Sequence, residues 1–260
     1  MKFRNAVLLI LAALVLTVGC KKKETVETTP SPAETDVTTP PAAGQPADAT
    51  ISGKVVFKGT APQPKKLDMA ADPNCKALYS NGKFDEDVVV NANGTLKNVF
   101  VSIKEGVPAG DYPLPANPVI LDQKGCWYQP HVFGIRANQD LVILNSDATL
   151  HNVHSLANIN EQFNLGMPLQ GMKITKKFTK PEVMAKFKCD VHGWMHAYVG
   201  ILDHPFFAVT NESGSFQLPA LPAGQYVIEA WHEKFGTQTQ TVTLGSKETK
   251  SIEFVFTSGS

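Results

Sequence analysis

Phe187-Lys188-Cys189-Asp190-Val191-His192-Gly193-Trp194-Met195-His196 sets a cysteine, a histidine and a methionine at three-residue intervals. Just before it, Met184-Ala185-Lys186-Phe187-Lys188-Cys189 alternates, and a period of two puts Phe187 and Cys189 on one inward face of a strand. Just after it, Tyr198-Val199-Gly200-Ile201-Leu202 reads as strand again. The stretch is therefore a short loop between two strands, with a buried sulfur at its entrance. A thiolate, an imidazole and a thioether held this close can point at one centre, and a second imidazole must come from elsewhere. His151 is the candidate, in Asp147-Ala148-Thr149-Leu150-His151-Asn152-Val153-His154 at the end of an expected strand, Gln139 to Ser146.

Two histidines, one cysteine and a weakly bound methionine form the donor set of a blue copper electron-transfer centre. A single cysteine with a methionine six residues on suits zinc poorly. A binuclear copper centre would need two thiolates in the loop, and the loop has Cys189 alone. No His-x-His pair is present, so oxygen or nitrite chemistry has no visible ligands and no enzymatic activity is expected. The expected metal ligands are His151, Cys189, His192 and Met195, holding one copper ion. His192 is expected to be the partly exposed imidazole through which electrons pass, with Trp194 near the surface in an apolar docking patch. Asn152 is expected to reach across to the Cys189 loop, and Asp190 to support it. His154 should face away from His151, and His196 should face outward. His131, His204 and His232 read as structural, and a second metal shared among the extra histidines is the minor reading.

Working outward, nearly every segment reads as strand. Ile51 to Phe57 and Gly94 to Ile103 alternate and stop at glycines; Val119 to Asp122, Cys126 to Ile135 and Gln139 to Ser146 follow a proline-rich loop, Val107 to Pro118. A helical turn is expected at most over Pro181 to Lys186. The chain is expected to be all-β and antiparallel.

Leu150-His151-Asn152 and Cys189-x-x-His192-x-x-Met195 resemble the ligand motifs of the cupredoxins, most closely amicyanin-type proteins in the short loop. Residues 119 to 203 carry this resemblance strongly, and Gly125 to Pro205 also look like periplasmic proteins labelled methylamine-utilisation or plastocyanin-like. The resemblance implies a Greek-key sandwich that carries electrons. After Pro205, Gly214-Ser215-Phe216 and Leu221-Pro222-Ala223-Gly224-Gln225-Tyr226 resemble the small sandwiches of the carboxypeptidase-regulatory and transthyretin-like kind. Such sandwiches begin with strands like Ile51 to Val55 and Leu96 to Val101, which here lie upstream of the copper region. A cupredoxin domain over 116–203 is therefore expected to be inserted into a regulatory-like sandwich built from 51–115 and 204–258.

The chain opens with Lys2 and Arg4 before an apolar run, Ala6 to Val18, and Leu16-Thr17-Val18-Gly19-Cys20 resembles a bacterial lipoprotein box. Residues 1–19 are expected to be a signal peptide and Cys20 the lipidated residue. Residues 20–50, rich in Thr, Pro, Ala and Glu without an aromatic, are expected to be a disordered tether. With Cys189 at the site, Cys75 and Cys126 remain to form a disulfide in an oxidising compartment. Equal numbers of basic and acidic residues, 24 each, and no basic aromatic cluster argue against nucleic acid as a partner. The expected role is a carrier shuttling single electrons between periplasmic redox proteins, held by its lipid to the periplasmic side of a bacterial membrane, the outer membrane included. Copper storage or delivery is the alternative.

Overall fold

A computed structural model describes residues 44–258, all within one unit, Asp36–Ser260. The signal segment, Cys20 and residues 21–43 of the tether lie outside the described residues. The chain is all-β. Its first strand, β1 (Thr50–Lys58), is followed by a single helical turn, α1 (Pro73–Ala77), and by β2 (Phe100–Glu105). Then come β3 (Val119–Gln123), β4 (Tyr128–Gln129), β5 (Val132–Arg136), β6 (Leu141–Asn145), β7 (His151–Leu156), β8 (Asn164–Met167), β9 (Lys173–Lys176), β10 (Glu182–Lys188) and β11 (His196–Leu202). The last five are β12 (Phe207–Val209), β13 (Ser215–Gln217), β14 (Gly224–His232), β15 (Gly236–Leu244) and β16 (Thr249–Thr257).

Strands from the middle of the chain form two sheets, β4-β3-β6-β9 and β5-β11-β10-β7-β8. Alternation supplies their shared core: Leu121, Ile143, Val153, Ala185, Phe187 and Val199 are fully buried between them. Strands from the two ends form β13-β1-β16 and β12-β2-β14-β15 around a separate core that includes Ile51, Val101, Tyr226 and Phe254. Val55 lies beside Phe254, and Val101 lies between Ala208 and Ala230. Ala49, placed in the tether by sequence, is already buried and bridged to Leu221.

Two glycines set how the sandwiches meet. Gly134 of β5 and Gly200 of β11 are register partners, and a Cβ on them would stand 2.2 Å from the Phe207 ring and 2.3 Å from the Phe100 ring, respectively. The missing side chains leave a socket for Phe100 and Phe207, which stack at 5.7 Å between centroids. Phe100, Val132 and Leu202 make a small buried cluster at this seam.

Three expectations need correction. The pairings of β1 with β16, β3 with β6 and β5 with β11 are parallel, because each joins strands far apart in the chain that long crossovers can align in one direction. Residues 182–188 are strand, since Ala185 and Phe187 must face the core on a period of two. The helical turn falls instead at Pro73–Ala77, where Asp72 caps the N-terminus and Pro73 opens it. The expected run from Cys126 to Ile135 is broken into β4 and β5 at Pro130, which has no N–H for a ladder.

Candidate metal centre

Cys189 ends the strand run of β10, His192 stands in the loop, and Met195 closes it; His151 opens β7, the neighbour of β10. The loop is tied across itself, with Cys189 N–H donating to the Met195 carbonyl (3.0 Å) and Met195 N–H to that of His192 (2.9 Å). Asn152, beside His151, locks it from the other side. Its Oδ1 accepts from the Asp190 N–H (2.6 Å) and the Val191 N–H (3.3 Å), so β7 dictates where the loop sits. Asp190 in turn accepts from Asn152, Asn164, His154 and Lys188.

These constraints bring His151, Cys189 and His192 together, with ligating atoms within 4.8 Å of one another and all three residues buried. His151 Nδ1 and His192 Nδ1 are 2.9 Å apart, and His192 Nδ1 is 3.9 Å from Cys189 Sγ. The outer nitrogens are each held by a carboxylate: His151 Nε2 by Asp147 Oδ2 and His192 Nε2 by Asp72 Oδ2, both at 2.9 Å. A carboxylate at that distance takes a proton, so the network assigns the Nε2–H tautomer to both rings. The two Nδ1 atoms are then left facing each other beside a sulfur. Met195 is fully buried in the same core.

The charges agree with this arrangement. Burial works against the Cys189 thiolate, but hydrogen bonds from His151 and from backbone N–H groups of Asn152, His192 and Val191 hold its pKa below the ordinary thiol value. Burial also opposes charge on His151, and its bonds to Asp147 and Cys189 outweigh it, raising its pKa. For His192 burial wins over the Asp72 bond, aided by the neighbouring His151, and its pKa is lowered. Asp72 and Asp147 stay anionic: their hydrogen bonds outweigh their burial.

His192 is not the partly exposed ligand that was expected. It is 2% exposed, because the segment around α1 folds over it. Asp72 both caps α1, accepting from Asn74 N–H at 2.8 Å and Cys75 N–H at 3.2 Å, and binds His192 through its other oxygen. Cys75 and Cys126 form a disulfide, with Cys75 Sγ 3.7 Å from His192 Nε2. The Gly125 and Cys126 N–H groups donate to Asp147 at 2.7 Å. The disulfide thus joins the turn that carries Asp72 to the turn whose N–H groups hold Asp147. Trp194 is half-buried, tilted against His192 with ring centroids 5.0 Å apart and donating to the Cys126 carbonyl, so only part of its ring is available to a partner. His154 faces away from His151 and bonds Asp190. His196 turns inward, toward Asp87 and Glu233, in place of the expected outward orientation.

Sequence reasoning missed Asp72 and Asp147. Asp147 was legible, four residues ahead of His151 in the stretch already read. Asp72 lies 120 residues from His192, and nothing local marks it.

Residues 196–257 match the carboxypeptidase regulatory-like domain, about a quarter of the chain. No curated protein matches the sequence. Among solved structures, a copper-containing nitrite reductase from Thermus scotoductus SA-01 is similar at 20% identity and a TM-score of 0.29, over 36% of this chain and 24% of its own. This chain thus spans about a quarter of that enzyme. An amicyanin point mutant in its Cu(I) form is similar at 17% identity and a TM-score of 0.30, over 39% of this chain and 97% of its own. An oxidised amicyanin mutant gives 18% identity and the same score and coverage.

Proposed function

We propose that this protein is a blue copper electron carrier. The observation that supports this most is the pair of Nδ1 atoms 2.9 Å apart beside a buried cysteine, with each Nε2 fastened to a carboxylate. Two imidazole nitrogens that close need a proton or a metal cation between them. A thiolate and a thioether are soft donors and imidazole suits copper, a set that disfavours magnesium, calcium and manganese. His151, Cys189 and His192 would hold it, with Met195 as the weak fourth ligand. Bound copper would supply one-electron redox chemistry.

The residues around the ligands limit rearrangement during that chemistry. Asn152 clamps the loop, the two aspartates fix both rings, and the disulfide ties the turn bearing Asp72 to the turn that holds Asp147. Trp194 puts a partly exposed aromatic ring beside His192. Leu150 and Val191, 44% and 48% exposed, flank His151 and His192 in the chain and would give a redox partner an apolar surface. Burial of His151, Cys189 and His192 weighs against storage or delivery, which needs a ligand that a receiving site can reach. The partners are taken to be periplasmic redox proteins, with the carrier held to its membrane by lipid on Cys20 and a tether whose reach is roughly 30 Å.

Reconstitution with Cu(II) tests the reading. An intense thiolate-to-copper charge-transfer band in the visible, and its reversible loss on one-electron reduction, are the expected results. Copper bound without that band would sink the proposal. Mass spectrometry of the N-terminal peptide tests the anchor, which an unmodified Cys20 in the membrane-extracted protein would exclude.

A further inference from the structure

The residue after Met195 belongs to a second convergence, at the seam between the sandwiches. His131 precedes β5, His196 opens the adjacent β11, Glu233 follows β14, and Asp87 comes from the segment between α1 and β2. His131 Nε2 lies 2.5 Å from Glu233 Oε1; His196 Nε2 lies 3.3 Å from Glu233 Oε2 and 3.3 Å from Asp87 Oδ1. The two rings meet edge to face at 4.9 Å. The ligating atoms of His131, His196 and Glu233 fall within 4.8 Å of one another. Both imidazoles and the carboxylate are shielded, with side chains 2%, 15% and 4% exposed.

His196 sits between two carboxylates. Its Nδ1–H donates to the Trp194 carbonyl at 3.2 Å, so Nε2 is the atom turned to the cluster, 3.3 Å from Glu233 Oε2 and from Asp87 Oδ1. Two carboxylates on one nitrogen call for positive charge, carried by a proton on Nε2 or by a metal ion that displaces it. A proton is split between the two oxygens at 3.3 Å, long for a charge-assisted bond. A tetrahedral cation fits better: zinc bonds of about 2.0–2.1 Å give ligand-to-ligand edges of roughly 3.3 Å. Two of the three separations above have that length, and the His131–Glu233 separation would open by under about one ångström. Glu233 is anionic: burial opposes its charge, but the two imidazoles hold its pKa down at about 2. Lys234 neutralises Asp87 from the far side, Nζ to Oδ2 2.7 Å. The carbonyl behind Nδ1 is the support that metal-bound histidines usually have.

We propose that His131 Nε2 and His196 Nε2, on loss of the protons they share with the carboxylates, form with Glu233 and Asp87 a second metal site, for a divalent cation of the zinc class. Two nitrogens and carboxylate oxygens, without sulfur, separate it chemically from the cysteine centre. The cation joins segments from both sandwiches and fixes the residue that follows Met195.

The test uses the full chain with its cysteine centre already filled with copper, so that added metal reports on the seam. Metal analysis and calorimetry with Zn²⁺ should show one further equivalent per chain. Co²⁺ used in its place should give weak d–d bands with no sulfur charge transfer. Glu233→Gln and His196→Gln should each weaken this binding by tenfold or more while keeping the copper band, which also shows that each variant is folded. The inference is overturned if the copper-loaded wild type takes up no second equivalent, or if the folded variants bind Zn²⁺ as the wild type does. Sulfur charge transfer from Co²⁺ would also overturn it, by assigning the metal to Cys189. The copper reading stands or falls separately, on the visible band.

Discussion

The two sandwiches treat buried histidine in opposite ways. In the middle one, His151 and His192 keep a partner at each nitrogen and aim the inner pair at a buried thiol. In the flanking one, His232 is 2% exposed and stacked on Phe235 at 4.7 Å, with one nitrogen accepting from the Lys234 N–H at 3.1 Å. Burial pushes its pKa down to about 4, so it sits in the fold as a neutral ring. The difference lies in what surrounds the nitrogens: carboxylates and a thiol in the middle sandwich, the rings of Phe235 and Phe256 around His232. The middle sandwich should therefore lose function on substitution, and the flanking one stability.

The sharpest break is Cys189→Ala. It should abolish the charge-transfer band entirely while the apoprotein stays folded, whereas His154→Ala, on the outer face of β7, should keep the band; both are read by visible absorption. Next in size is the disulfide. Cys75 and Cys126 are 51 residues apart, and the chain-entropy relation gives about 4 kcal/mol for a loop of that length. The double Cys→Ser variant should lose about that much by denaturant unfolding. It should also release the turn bearing Asp72 and the turn that holds Asp147, weakening copper binding, and unchanged copper affinity would show that the disulfide has no role at the site.

The flanking sandwich should answer to acid. Above about pH 6.5 His232 is neutral in both states and carries no penalty. Between 6.5 and 4 the unfolded chain takes a proton that the folded chain refuses, so stability falls with falling pH, by about 3 kcal/mol in all. His232→Phe should flatten that part of the pH–stability curve, and parallel curves for the two proteins would refute the assignment. The smallest effect belongs to the seam. Gly200→Ala pushes a methyl into the Phe100 ring and should cost about 1–3 kcal/mol, measured as a lowered unfolding midpoint, with the copper band kept.

How far each feature was legible follows from its range. Cys189, His192 and Met195 share one loop, and the alternation of β10 marks Cys189 as inward, so three of the four expected ligands could be read from local pattern. His151 needed a second stretch, but its ordinary place beside a strand end and next to Asn152 was still a local signal. Asp72 above His192, the inward turn of His196, and the meeting of His131 with Glu233 102 residues away leave no mark in either partner's neighbourhood.

The amino-acid sequence alone determined the strands, the ligand loop and the residue types that select a soft metal, because these depend on periodicity and on donor chemistry. Only the tertiary structure decided that His192 is covered, which nitrogen of each ring is free, and how the sandwiches lock through Gly134 and Gly200. Those outcomes depend on which distant segments share a surface, and a period of two says which face a side chain takes but not what is packed against it.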